Sequence, residues 1–234
     1  MRSFLLSGAC AGAMLLAFLP GAKAGDLDIE PLPQASTWYV TVFGGLSLGE
    51  SAEFEASTGA TTIAAEIDID EGLVAGLAAG LRINDWIRAE GEVSGHWHDG
   101  GGDATTATTA IGYTSLPLDG EVHALFVLGN LWIDLPLGGE LQPYLGGGAG
   151  FARLEADLGT TAGTAGVEGS DWAFAYQFGG GVSYALSPSM AVDLGYRYRR
   201  INDAKLEAEA AGTPLDTEID YRSHSLLLGL RLSL

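Results

Sequence analysis

Histidines and carboxylates are the residues of this chain whose spacing could do chemistry. His96 and His98 lie two apart, and Asp99 follows them. On a strand, that spacing puts both imidazoles on one face, where they could share a metal ion. No third ligand is evident, so the pair reads as rim histidines near the surface. His224-Ser225 sets an imidazole beside a hydroxyl. Adjacent strand residues face opposite ways, however, which separates a base from the nucleophile it would activate. Asp68-Ile69-Asp70-Glu71 is the densest acidic cluster but lacks the spacing of a calcium loop. The sequence therefore assigns no catalytic residue, no cofactor site and no metal site.

A second set of charges stands inside alternating segments, and these define the elements that must carry them. Leu226, Leu228, Leu230, Leu232 and Leu234 fall on one face of a strand, opposite Ser225, Gly229, Arg231 and Ser233. Val192, Leu194, Tyr196 and Tyr198 oppose Asp193, Gly195, Arg197 and Arg199. Leu73, Leu77 and Leu81 oppose Gly76, Gly80 and Arg82. Ile87, Ala89, Val93 and Trp97 oppose Arg88, Glu90, Glu92 and His96. Period-2 alternation of this kind marks strands with one apolar and one polar face. Eight segments are predicted, at 37–48, 71–83, 86–98, 121–133, 142–155, 172–185, 190–202 and 218–234.

Connections alternate between short turns (Asn84-Asp85, 134–141, Ser187-Pro188-Ser189) and long stretches at 49–70, 99–120, 156–171 and 203–217. Of the 30 acidic residues, most fall in these long stretches, which read as solvated loops. The 35 glycines suit strands and turns better than helices. No apolar run after residue 24 is long enough for a spanning helix, so a membrane protein of this sequence must be a closed barrel. An even strand number with short turns at one end and long loops at the other is the pattern of outer-membrane barrels. The fold class is all-β, an eight-stranded antiparallel up-and-down transmembrane β-barrel.

Residues 1–24 read as a secretory signal peptide: Arg2, an apolar stretch from Phe4 to Leu19, then Ala22-Lys23-Ala24 as the cleavage site. The barrel domain is then 25–234. Cys10 is the sole cysteine and lies within the leader, without a Leu three positions before it, so no lipid attachment is expected there. Loss of Arg2 and Lys23 takes the net charge from −19 to −21. Such a chain repels nucleic acid and offers no basic patch for its phosphates.

If the apolar face meets lipid, Arg82, Arg88, Glu90, Glu92, Asp193, Arg197, Arg199 and Arg231 point into the barrel. An eight-stranded interior is just wide enough for side chains to fill. Charges buried there must be paired, so these residues are expected to form a structural network, with Arg88–Glu92 and Asp193–Arg199 at its centre. A gated, charge-lined path is the alternative. Trp38, Trp86, Trp132, Tyr144 and Tyr184 lie near one rim and Trp97 and Trp172 near the other, as interface aromatics do.

The order of three glycine-rich stretches carries a resemblance. They are Gly129-Asn130-Leu131-Trp132-Ile133-Asp134-Leu135-Pro136 leading into 143–152, then Tyr176-Gln177-Phe178-Gly179-Gly180-Gly181-Val182-Ser183-Tyr184, then Asp193-Leu194-Gly195-Tyr196-Arg197-Tyr198. Across nearly the whole mature chain, the sequence resembles the opacity-type family of small outer-membrane barrels, surface antigens of Gram-negative bacteria. The resemblance implies surface exposure and roles in adhesion, envelope integrity or, in some members, a pore. It brings no shared catalytic residue. The last strand resembles the assembly signal of such barrels at Gly229 and Leu232, with Leu234 where a terminal aromatic is usual. No second, peptidoglycan-anchoring domain is expected after residue 234.

The expected location is the bacterial outer membrane, with the N-terminus and short turns periplasmic and the long acidic loops extracellular. The expected partners are outer-membrane lipid and lipopolysaccharide, the barrel assembly machinery, and a host or cell-surface partner at the loops. The loop carboxylates could share divalent cations with lipopolysaccharide phosphates. A small-solute pore is the first rival reading. A barrel enzyme acting on lipid A is the second. The His/Ser pairing of lipid A deacylases resembles His224-Ser225, but such an enzyme needs a His and a carboxylate or Ser on one outward face. No such set is evident in the sequence.

Overall fold

The structure is a computed structural model and describes residues 37–50, 52–58, 61–108, 112–160, 165–210 and 213–234. The signal-peptide reading lies outside them. Nine strand segments follow one another: β1 (Trp38–Gly49), β2 (Ala52–Thr58), β3 (Thr61–Arg82), β4 (Ile87–Thr108), β5 (Gly112–Asp134), β6 (Leu141–Thr160), β7 (Ala165–Ser187), β8 (Met190–Ala210) and β9 (Thr213–Ser233). All are antiparallel to their neighbours. β1 pairs with β9 on one side and with β3 on the other, from Trp38↔Leu81 to Leu48↔Glu71, and this closes the sheet. β2 continues the stave of β1 along the upper half of β3. The wall is thus an eight-stranded up-and-down barrel whose first stave is interrupted near Glu50, and the described residues contain no helix.

The turns at one end are tight for identifiable reasons. Between β3 and β4, the Asn84 side-chain oxygen accepts from the backbone N–H of Trp86 and Ile87 at 2.8 and 2.9 Å, an Asx turn. Between β5 and β6, Gly138 and Gly139 take positive φ (73° and 120°), which a residue with a Cβ would resist. This end is called the turn end below, and the opposite one the crown.

The strands run far past the eight predicted segments. The stretches 61–70, 99–108, 112–120, 156–160, 165–171, 203–210 and 213–217, read as loops from sequence, are paired strand instead. Period 2 continues there with its polarity reversed. On β6, Leu154, Ala156 and Leu158 are buried inside while Glu155 and Asp157 face out. Near the turn end, β6 instead turns Leu145 outward and Tyr144 inward. Register irregularities fall near the transition, at Ile69/Gly72, Glu168/Ala175 and Ile201/Ala204. Bulges of this kind re-aim a strand's faces. As a result Ile69, Ala204 and Leu206 join Val122, Leu154, Leu158, Ile201 and Ile219 in an apolar core inside the crown. We expect backbone amides of 118–122 and 154–160 to exchange as slowly as those of the lower strands, because they share one ladder. Fast, loop-like exchange there would contradict the crown.

The outer surface divides with equal clarity. Leu73, Leu77 and Leu81 on β3, Val93 and Trp97 on β4, Leu125, Val127, Leu131 and Ile133 on β5, and Leu226, Leu228 and Leu230 on β9 all face outward. About 9–11 residues per tilted strand span a bilayer core. The outward apolar stretches of β1, β3, β4, β5, β6, β8 and β9 have that length, and that of β7, from Trp172 to Leu186, is longer. Above it, the first outward polar residues are Glu50, Glu71, Asp99, His123, Arg153, Arg200 and His224. They trace a polar edge around the wall.

Candidate functional site

The lumen of the lower barrel is where sequence and structure concentrate polar groups. It is built in tiers, because inward residues recur every second position on each stave. At the turn end, Arg88 on β4 donates from Nε to Asp134 on β5 at 2.7 and 2.9 Å, with both side chains buried. The Arg88 guanidinium also lies 5.7 and 5.2 Å from the rings of Tyr39 and Tyr144. Across the lumen, Arg231 on β9 donates to Asp193 on β8 at 2.7 Å and to the Ser183 hydroxyl on β7 at 3.1 Å. Ser183 in turn donates to Asp193. Arg82 stands half-buried at the turn-end mouth.

One tier higher lies a junction that crosses the lumen. Glu92 on β4 accepts from Arg199 on β8 at 2.7 Å and from Ser94 at 3.0 Å through one oxygen. Its other oxygen accepts from Asn130 on β5 and Gln177 on β7, each at 2.8 Å. Gln177 also donates to Asn130 at 2.8 Å. Four staves are therefore tied to one carboxylate in the middle of the barrel. Arg197 takes a different partner: its guanidinium lies 4.1 Å from the Trp132 ring centroid, a cation–π distance. The same indole donates its N–H to Glu90. The residual cavity beneath Glu92, lined by Arg88, Glu90, Trp132, Asp193 and Arg197 among others, is ≈ 30 Å³, room for about two waters.

Above Glu92 the lumen passes from charged to aromatic. Arg199 also donates to His96 Nε2 at 2.9 Å. A guanidinium can only donate, so Nε2 accepts and the ring proton sits on Nδ1. Ser47 lies 3.3 Å from Nδ1. His98 Nε2 lies 2.9 Å from the Tyr221 hydroxyl. Phe126 packs on His96 at 4.9 Å, and the apolar crown begins there.

Several expectations need correction. The charges of the anticipated centre pair across strands, two of them with residues outside it: Arg88 bonds Asp134, Glu92 bonds Arg199, and Asp193 bonds Arg231. Salt-bridge partners in a barrel are set by cross-strand register, which residue order along one strand does not reveal. Trp132 and Tyr144 are not interface aromatics. They are 1 % and 5 % exposed and face the lumen, in edge-on contact at 5.8 Å. Trp132 shares the parity of Asn130, and Tyr144 lies directly opposite Asp134, so both must point inward. Trp38, Trp86, Trp97, Trp172 and Tyr184 do face outward. His96 and His98 are interior groups, 0 % and 2 % exposed, and not rim residues. The side chains of Asp68 and Asp70 lie outside the described set.

Sequence reasoning also missed an outward cluster. His224 Nε2 lies 2.8 Å from Glu50 and its Nδ1 lies 2.5 Å from the Tyr196 hydroxyl. This places a carboxylate and an imidazole on one outward face, the pairing that the sequence did not reveal. In the sequence Glu50 lies in the stretch 49–70 read as a loop, and closure of β1 on β9 brings it to His224. Ser225 is buried on the lumen side, so the hydroxyl in the chain is a phenol and not the neighbouring serine. The three residues bind β1, β9 and β8 together at the polar edge. Among the described residues, no group of three or more His, Cys, Asp or Glu could hold a metal ion.

A closed antiparallel barrel with an apolar outer belt and a polar lower lumen is the architecture of a bacterial outer-membrane protein. Residues 11–232 match the family model of the outer membrane protein beta-barrel domain, and the chain belongs to that family. The fold is shared with the outer membrane protease OmpT of Escherichia coli, at a TM-score of 0.55 and 7% identity, over 86% of this chain and 98% of that one. Neisserial surface protein A aligns at a TM-score of 0.48 and 22% identity, over 86% of this chain and 100% of that one. Uncharacterized proteins of Brucella abortus and Brucella suis are 40% identical over 83 residues, which is 32% of this chain and 29% of theirs. The chain thus matches under a third of the length of these curated relatives.

Proposed function

We propose that this protein is a non-conducting surface barrel, set with its turns in the periplasm and its crown outside the cell. There the acidic hairpins serve envelope structure or attachment to a partner. The observation that carries the reading is the Glu92 junction, where one carboxylate binds side chains from β4, β5, β7 and β8 across the lumen. A pore needs a continuous wet path, and this junction sets hydrogen-bonded side chains from opposite walls across it. The crown supports an interaction role in a different way. Its interior is apolar and packed while its outside carries Asp119, Glu121, Glu155 and Asp157. It therefore presents acidic strand faces where solvated loops were expected. An acidic surface favours basic or cation-bridged partners and gains most at low salt.

Refolded protein in a planar bilayer is expected to give no stable single-channel steps, with insertion confirmed by heat-modified gel mobility. Reproducible steps would overturn the plug and favour a small-solute pore. The enzyme reading gains little from the outward Glu50–His224–Tyr196 chain, which holds a phenol and no serine. Unchanged lipid A mass after overexpression is the expected result.

A further inference from the structure

Three of the lumen arginines have a carboxylate partner. Arg88 pairs with Asp134, Arg231 with Asp193 and Arg199 with Glu92, each at 2.7 Å. Arg82 is half-buried at the turn-end mouth. Arg197 is the enclosed exception: it is buried and takes no carboxylate among the described residues. Its guanidinium donates to the Tyr196 backbone oxygen at 3.1 Å and to the Tyr144 hydroxyl at 3.4 Å. The remaining carboxylate, Glu90, accepts from the Trp132 indole. Beneath the Glu92–Arg199 pair, Arg82, Arg88, Arg197 and Arg231 therefore face only Glu90, Asp134 and Asp193, a surplus of one positive charge.

Unused donors surround the cavity that Arg197 lines. Arg88 Nη2, Arg197 Nε, Arg231 Nε and the Thr41 hydroxyl are buried without a hydrogen-bond partner among the described residues, and all four residues line that cavity. Each of the four is more than nine-tenths enclosed or close to it. They come from β4, β8, β9 and β1, so four staves face one small space. An arginine N–H can only donate, and the missing partner is therefore an acceptor. The carboxylates nearby are already engaged. Both oxygens of Glu92 are taken in the junction, and Asp193 Oδ1 accepts from Ser183 and Arg231.

Water can accept from these donors, but it leaves the surplus charge uncompensated, and a cation in a low-dielectric interior is costly without an anion. The space is ≈ 30 Å³, about two waters' worth, which suits a halide better than a bulky oxyanion. A halide also accepts from any direction, as donors on four walls require. We propose that this cavity binds one chloride-sized monovalent anion, admitted at the turn end past Arg82. The ion lies among Arg88, Arg197 and Arg231 and ties β1, β4, β8 and β9 together, so the stability of the barrel follows the chloride of the surrounding solution. The site is the same for either orientation of the barrel in its membrane.

The test is urea unfolding of the refolded full barrel in uncharged detergent, in sodium chloride against sodium gluconate at equal ionic strength. The midpoint should rise with chloride, and beyond half-saturation each tenfold increase should add ~1.4 kcal/mol. Bromide should act as chloride does. Arg197→Met removes the surplus charge, so its midpoint should no longer depend on chloride. Glu90→Gln raises the surplus to two, so half-saturation should fall to about tenfold lower chloride or less. The two variants move in opposite directions. If Arg197→Met lacks the heat-modified mobility of a folded barrel, Glu90→Gln alone decides. Glu155→Gln on the outside of the crown should leave the dependence as it is. Equal midpoints in chloride and gluconate would overturn the anion and leave the cavity to water. A chloride dependence that neither Arg197→Met nor Glu90→Gln alters would place the ion elsewhere and overturn the site.

Discussion

Glu92→Ala is expected to lower the unfolding free energy of the refolded barrel by about 3–5 kcal/mol, the cost of leaving a buried partner charge uncompensated. Arg199 is wholly enclosed and would keep its charge, with only His96 left to accept from it. Asn130, Gln177 and Ser94 would lose their shared acceptor at the same time. Glu92→Gln keeps the volume and separates the two effects: it should retain some hydrogen bonds yet still leave Arg199 unpaired. Adding Arg199→Met to either variant removes the stranded charge, so the double variant should be more stable than the single one. Urea titration followed by tryptophan fluorescence reads all of these. A loss below about 1 kcal/mol for Glu92→Ala, the value of a solvent-exposed pair, would mean that water already fills the lumen. The plug would then be abandoned.

That junction also shows what could be read from the sequence and what could not. Alternation around Arg88, Glu92, Arg197 and Arg231 shows which residues share the polar face, because period 2 is a property of each strand alone. Pairing is a property of register. The sequence places Asp134 in the short turn 134–141, which hides it as the partner of Arg88. The reversal of polarity above the belt had the same effect on a larger scale. Leu154, Leu158 and Leu206 still alternate with Glu155, Asp157 and Lys205, but the apolar residues there face inward. A search for lipid-facing leucines ends where the belt ends and mistakes the acidic outer face for a loop. Trp132 was misplaced because position near a rim was weighed above parity with Asn130. Glu50 and His224 are far apart in sequence and meet only once the first and last staves close.

The belt itself gives the second large expectation, read by scanning arginine along the outward face of β3. Leu77 lies midway between Leu73 and Leu81 and pairs with Val42 and Val93 on its neighbours. Those three residues form an apolar stripe with no polar group within reach on that face. Leu77→Arg should therefore cost about 2–4 kcal/mol, the midplane value for a lipid-facing strand. Leu73→Arg and Leu81→Arg should cost about 0–1 kcal/mol, because a long side chain can bring its charge to the interface from either end. Leu73 has Glu71 next above it on the same face, which favours that escape further. Unfolding in lipid vesicles measures the profile. A maximum at Leu73 would mean that the membrane reaches up onto the crown and that the edge through Glu50, Glu71 and Arg200 is submerged. A flat profile would mean that the leucine face does not meet lipid. With the maximum at Leu77, the apolar belt is fixed below that edge, and Glu50, Glu71 and Arg200 stand at headgroup height.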